Sequence, residues 1–281
     1  MSYYRILGLE KEPFSTSPDP AFLYESASHK AALYRLQIAI KLKRGVSLIL
    51  GDVGVGKTTL SRRLFQLIKQ EGQVASYLIL NPIYQSESEF LTALLKLFKI
   101  PGELQGISVV EALERIERYL FEQGVEAQAT TVLLIDEAQR LSPSSLELLR
   151  ALLNYETNEY KLLQLILMGQ LELLPIVRGM KNFWDRISLR YVVNPLDEEE
   201  TRMMIAFRLR QAGPAVRHDL FTKDAVHEIY QHTQGYPRRI AALCHDALEQ
   251  LVMLEKDAVD GAIIHRLIAQ ERQLVSQHVV D

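Results

Sequence analysis

Residues 46–59 read VSLILGDVGVGKTT, and this stretch decides the fold. An apolar run, Val46–Leu50, stops at Gly51. Residues 51–58 then follow the pattern G-x-x-x-x-G-K-T, and helical spacing sets in over Leu60–Lys69. A strand, a glycine loop and a helix in that order form an anion cradle. Phosphate needs many N–H donors close together and little steric bulk. Gly51, Gly54 and Gly56 let the backbone wrap around the anion. The helix that follows turns its positive end toward the same place. Lys57 has the reach to meet β- and γ-phosphates, and Thr58 offers a hydroxyl to Mg²⁺. The segment Gly51-Asp52-Val53-Gly54-Val55-Gly56-Lys57-Thr58-Thr59 is therefore the expected binding loop for ATP, with Mg²⁺ as its cofactor.

Moving outward, short apolar runs alternate with amphipathic stretches. Strands are expected at Val46–Leu50, Ala75–Leu80, Thr131–Ile135, Leu162–Met168 and Ser188–Val193. Helices are expected at Ser88–Phe98, Val109–Glu122 and Pro143–Tyr155, the last with its proline in the first turn. Strands that are apolar at every position are buried on both faces, and their alternation with helices points to a parallel sheet. The pattern changes at Asn194-Pro195. Beyond it only helical spacing occurs, over Glu198–Gln211, Lys223–Thr233, Pro237–Leu254 and Asp260–Val275. The expected fold class is α/β: a P-loop core with a parallel sheet over residues 1–194, then an all-helical lid domain over 195–281.

A second chemical signal lies in VLLIDE, residues 132–137. An apolar strand ending in two carboxylates places them at the carboxyl edge of the sheet, where open α/β sheets bind ligands. Asp136 is suited to hold Mg²⁺, usually through water. Glu137 is suited to act as general base on an attacking water. Alone, such a pair is equally at home capping the next helix; the phosphate loop upstream gives it a chemical partner.

The 281 residues carry 32 Lys and Arg against 35 Asp and Glu, a formal net charge of −3. A chain that held nucleic acid over its whole surface would be basic. Local basic clusters do occur, at Lys41-Leu42-Lys43-Arg44, Arg62-Arg63 and Arg208/Arg210. The single cysteine, Cys244, has no disulfide partner in the chain and lies in an apolar helical stretch, as a small buried hydrophobe would. The opening MSYYRILGLEKEPF lacks the basic and apolar regions of a secretory signal, and no run approaches the length of a membrane span. A cytoplasmic location with no direct membrane span is the expectation.

The opening YYRILGLEKEPFSTSPDPAFLYESASHKAAL resembles the leader of the ExeA/GspA-like branch of AAA+ ATPases. The resemblance continues through GDVGVGKTTL, LLIDEAQ, LILMGQLEL, DRISLRY and GYPRRIAALC, nearly the whole chain. The leader and the G-Y-P-R-R-I segment are specific to that branch; the phosphate loop is not. The resemblance implies further roles. Gln170, ending the fourth strand, stands where sensor 1 is found, although Asn is commoner there. Arg186 and Arg190 are similar to arginine fingers, which reach the ATP of a neighbouring subunit, with Arg186 favoured. Arg238, at the start of a lid helix, resembles sensor 2, with Arg239 as its alternate. The leader residues Tyr4, Pro13 and Phe14 are expected either over the adenine or in a core, and His29 as a structural histidine. Catalysis is thus expected from Lys57, Glu137, Gln170 and Arg186. Nucleotide contact falls to the loop and Arg238, and metal contact to Thr58 and Asp136.

The resemblance implies a homo-oligomeric ATPase serving an envelope machine such as a secretion or pilus apparatus. Full-length members of that branch continue through a transmembrane helix to a peptidoglycan-binding domain, so this chain reads either as their ATPase part or as a relative without those parts. Two alternatives stand beside it. Related AAA+ proteins regulate transposition on DNA, which the basic clusters would serve. A nucleotide-dependent scaffold would keep the loop and need no base, and the presence of Glu137 argues against it.

Overall fold

The computed structural model describes residues 2–213 and 220–277. Five strands, β1 (Val46–Gly51), β2 (Val74–Ile79), β3 (Thr130–Ile135), β4 (Leu163–Gly169) and β5 (Ile187–Val193), form one sheet in the order β2-β3-β4-β1-β5. Every neighbouring pair is parallel. β1 and β4 are buried along their whole length, as expected of strands covered on both faces. The edge strands β2 and β5 are only partly buried.

Among the described residues twelve α-helices accompany the strands. They are α1 (Tyr3–Ile6), α2 (Ala27–Lys41), α3 (Lys57–Lys69), α4 (Glu87–Leu97), α5 (Val109–Phe121), α6 (Pro143–Leu152), α7 (Leu173–Gly179), α8 (Lys181–Trp184), α9 (Glu198–Ala212), α10 (Lys223–Thr233), α11 (Pro237–Met253) and α12 (Gly261–Gln277). Helix α2 lies where the sequence reading placed no element. Its buried residues His29, Ala32, Leu33, Leu36, Ala39 and Ile40 follow helical spacing. Helix α6 ends at Leu152, short of the predicted Tyr155, and the short α7 and α8 fill the connection between β4 and β5.

The chain divides into two compact units. One comprises residues 27–53 and 57–193, with the sheet and α2–α8. Its core joins Leu48 and Leu50 of β1, Leu133 and Ile135 of β3, and Leu165 and Leu167 of β4 to Phe90, Leu94 and Ile116 from the covering helices. The other comprises the leader up to Ser26, Gly54–Gly56, and the chain from Asn194 onward. Its core is Leu9 and Phe14 of the leader with Met204, Leu209, Ile229, Leu248 and Ile264 of the helices. Among the described residues no helix is long and apolar enough to cross a membrane.

Candidate nucleotide site

The strand order places the chemistry. β4 lies between β1 and β3, with Leu50 paired to Gly169 and Ile135 to Leu167. The ends of all three strands therefore reach the same carboxyl edge: Gly51 from β1, Asp136 from β3 and Gln170 from β4. The phosphate loop leaves that edge and enters α3 at Lys57.

The loop needs its glycines. Gly54 and Gly56 have φ of +83° and +99°, which L side chains rarely adopt. A Cβ at Gly54 would also come within 3.2 Å of Arg238 Cβ. Gly54 and Arg238 belong to the same compact unit, and the main-chain N–H of Arg238 donates to the Gly54 carbonyl at 3.2 Å. Arg239 behaves differently and stacks over the ring of Tyr236 at 4.9 Å.

Lys57 is buried, and its Nζ donates to the carbonyls of Gly51 at 2.8 Å and Asp52 at 2.9 Å. An ammonium has three protons, so one donor remains for an anion in the loop. Burial pushes its pKa down, and the nearby carboxylates of Glu137, Asp136 and Asp52 oppose that. Asp136 is only 1% exposed. Burial pushes its carboxyl up, opposed by hydrogen bonds from the Thr58 side chain and from the Glu137 N–H, the latter 3.0 Å to Oδ1. Thr58 and Asp136 are thus brought into contact. A hydroxyl and a buried carboxylate beside an ammonium are hard oxygen donors suited to Mg²⁺ next to phosphate, so the residues present fit that group.

Ser61 was not singled out in the sequence. One turn after Thr58, its Oγ donates to the Thr58 carbonyl at 2.8 Å and lies 3.5 Å from Asp136 Oδ2. The turn of α3 was readable, but the contact with β3 was not.

Glu137 follows Asp136 with φ +52°, in the left-handed region. Its Oε2 accepts from Gln139 Nε2 at 2.8 Å, with Arg140 Nε at 4.0 Å. Gln170 is half-buried at the end of β4, and its main-chain N–H donates to Gln139 Oε1 at 3.1 Å. The candidate base and the candidate sensor are thus tied to one side chain.

The two finger candidates are held within the chain. Arg186 Nη1 donates to Asn154 Oδ1 at 2.5 Å and lies 3.3 Å from the Arg150 carbonyl, at the end of α6. Arg190 Nη2 donates to the Trp184 carbonyl at 2.7 Å, and its guanidinium lies 4.0 Å from the centre of the Trp184 ring. In the leader, Phe14 and Pro13 are buried, and Phe14 meets Phe221 edge-on at 5.9 Å in the helical core; Tyr4 is partly buried. His29 is buried on α2 and Cys244 on α11, where burial pushes the thiol pKa up. Of the basic clusters, Arg208 is turned inward and donates to the Ser15 carbonyl at 3.2 Å, Lys43 stacks on Tyr160 at 3.8 Å, and Lys41 approaches Glu71 at 4.0 Å.

A family model described as an AAA domain matches residues 40–177. General secretion pathway protein A of Aeromonas hydrophila is 37% identical over 249 residues, which is 88% of this chain and 44% of that protein. The chain thus spans less than half the length of that relative. Solved structures share the fold at low identity. The Aeropyrum pernix ORC2 protein matches with a TM-score of 0.68 at 16% identity, covering 93% of this chain and 71% of that one. Cdc6p of Pyrobaculum aerophilum gives 0.66 at 17% identity over 88% and 67%. The RuvB branch migration motor of Thermotoga maritima gives 0.54 at 16% identity over 84% and 67%. With a parallel P-loop sheet, the two chemical motifs at its carboxyl edge and this likeness along most of its sequence, the chain belongs to the ExeA/GspA-like family of AAA ATPases.

Proposed function

We propose that the chain binds ATP with Mg²⁺ and hydrolyses it to ADP and phosphate. The observation that carries this reading is the meeting of Lys57, Thr58, Asp136 and Glu137 at one sheet edge. The remaining Lys57 proton and the N–H groups of residues 51–59 would hold the phosphates. Thr58 and Asp136 would hold Mg²⁺, which when bound neutralises phosphate charge. Glu137 would take a proton from the attacking water, and Gln170 would orient that water or sense the γ-phosphate. Arg186, or Arg190 in its place, would act on the ATP of a neighbouring subunit in a homo-oligomer. Arg238 would reach the nucleotide from α11, supported by its main-chain bond to Gly54. Residues 1–194 are then the ATPase core with its leader and 195–281 a helical lid, a division drawn on chemistry rather than on packing.

The name of the relative, a general secretion pathway protein, favours a role in secretion; on this reading the chain is a cytoplasmic ATPase acting with protein partners of a secretion or pilus machine. DNA is the alternative partner. Steady-state ATPase activity against protein concentration, with and without DNA at two salt concentrations, separates the readings. Specific activity that rises with concentration and ignores DNA supports the oligomeric envelope ATPase. Stimulation by DNA that fades with salt moves the assignment to a DNA-associated regulator. Nucleotide binding without turnover in every condition leaves a scaffold. Glu137→Gln is expected to bind nucleotide and lose turnover by about 100-fold or more; turnover at the parent rate would remove Glu137 from the role of base.

A further inference from the structure

Glu137 and Gln170 stand at the ends of different strands, and a single side chain spans them. Gln139 Nε2 donates to Oε2 of Glu137 at 2.8 Å, and its Oε1 accepts the main-chain N–H of Gln170 at 3.1 Å. A carboxylate only accepts and a main-chain N–H only donates, so one orientation of the amide satisfies both. Neither Glu nor a hydrocarbon at this position does both jobs. The close fit comes from Gly169, the last residue of β4. A Cβ there would come 3.1 Å from Gln139 Oε1 and 3.4 Å from its main-chain nitrogen. Gln139 itself sits in the short turn Ala138–Arg140 directly after the acidic pair. Glu137 has a left-handed backbone, so its side chain leaves β3 in a direction that the surrounding contacts must maintain. The neighbouring cation does not replace the bridge, because Arg140 Nη1 is bonded to Asn81 Oδ1 at 3.0 Å and its Nε is 4.0 Å from Glu137.

We propose that Gln139 is a positioning residue that couples the carboxylate of Glu137 to the end of β4, so that a displacement of Gln170 re-aims Glu137. The proposal rests on the reading of Glu137 as base and Gln170 as sensor. It adds that the two act as one unit through two hydrogen bonds and no other intermediary. Whatever Gln170 contacts then sets the direction of the base, and turnover depends on the bridge while nucleotide affinity does not.

The test uses this chain with two substitutions of Gln139 and two of Glu137. Gln139→Met removes both bonds. Gln139→Glu keeps an acceptor for the Gln170 N–H and turns a like charge toward Glu137. Amide proton–nitrogen spectra without nucleotide read the bridge directly. The Gln170 amide proton is expected to move upfield in Gln139→Met and to stay in Gln139→Glu, and the Gln139 side-chain NH₂ to move in Glu137→Ala. In steady-state assays both Gln139 variants are expected to lower kcat by about 10- to 100-fold, the size of effect that a misdirected base produces, with KM for ATP unchanged within about twofold. Added to Glu137→Gln, neither is expected to lower kcat further, because residues that act as one unit are not additive. A Gln170 amide indifferent to Gln139→Met, a loss that multiplies with that of Glu137→Gln, or a raised KM at unchanged kcat would each overturn the proposal. If Glu137→Gln turned over ATP at the parent rate, the assignment of the base would fail instead, while the amide shifts would still report whether the bridge exists.

Discussion

Asp136 and Lys57 are charges placed where water is scarce, and that placement makes them useful and destabilising together. The carboxyl of Asp136 is pushed above its ordinary pKa by burial. Below the ordinary carboxylate range both folded and unfolded chains hold the proton, so there is no penalty. As pH rises through the raised folded value, the fold must carry a buried carboxylate, and stability is lost. Asp136→Asn removes the charge and keeps an acceptor for the Thr58 hydroxyl. At pH 7–8 with chelator and no nucleotide, it is expected to melt about 2–4 °C above the parent and to lose Mg-dependent turnover. The gain should vanish near pH ~3. Scanning calorimetry across pH checks both, and a variant less stable than the parent at pH 8 would contradict the account. Gly235, in the G-Y-P-R-R-I segment, is residue-scale chemistry of another kind. Its φ is +74°, and a Cβ would lie 1.8 Å from the Leu196 carbonyl oxygen, in the same compact unit. The Leu196 N–H also donates to the Gly235 carbonyl at 2.9 Å, so the two backbones cannot part without losing a bond. Gly235→Ala is expected to lose on the order of 3 kcal/mol, which thermal melting of the variant measures. The sequence marked this glycine as specific to the family; only the approach of Leu196 says why.

At the scale of elements, local chemistry sets where helices begin. α9 starts with a capping box in which Asp197 Oδ1 accepts the Glu200 N–H at 2.7 Å and Glu200 Oε2 accepts the Asp197 N–H at 3.4 Å. Ser86, Ser108, Ser142 and Thr222 cap α4, α5, α6 and α10 in the simpler way. The helices after Asn194-Pro195 were readable from their apolar spacing to within a residue or two. Asp197→Ala is expected to lower stability by about 1 kcal/mol while leaving ATP turnover per folded molecule unchanged. Urea titration beside an ATPase assay tests it, and a loss of turnover without loss of stability would show that α9 does more than pack. Helix α2 escaped the reading because its apolar face follows directly on an irregular leader. Its packing against β5 and β1, not a cap, shows where it lies.

For the whole molecule, nucleotide is expected to act as a ligand of the folded state. At 100-fold above its dissociation constant, Mg-ATP should stabilise Glu137→Gln by about 2.7 kcal/mol and leave Lys57→Ala unmoved. Thermal shift measurements read this without turnover, and a Lys57→Ala protein shifted as far as the parent would sink the phosphate-loop assignment. What the sequence by itself determined is local. The strand–loop–helix at residues 46–59, the acidic pair closing β3, the change to helical spacing after Pro195 and most caps depend on neighbours a few residues apart. What only the tertiary structure decided is which distant residues meet. The strands run β1 to β5 along the chain but β2-β3-β4-β1-β5 across the sheet. That order brings Gln139 and Gln170 together at the β3–β4 edge and sets Ser61 of α3 against Asp136, the residue just past β3. Hydrophobic periodicity records that a strand is buried and not which strand lies beside it. Contacts across the sheet edge therefore exist only once the parallel crossovers have been made.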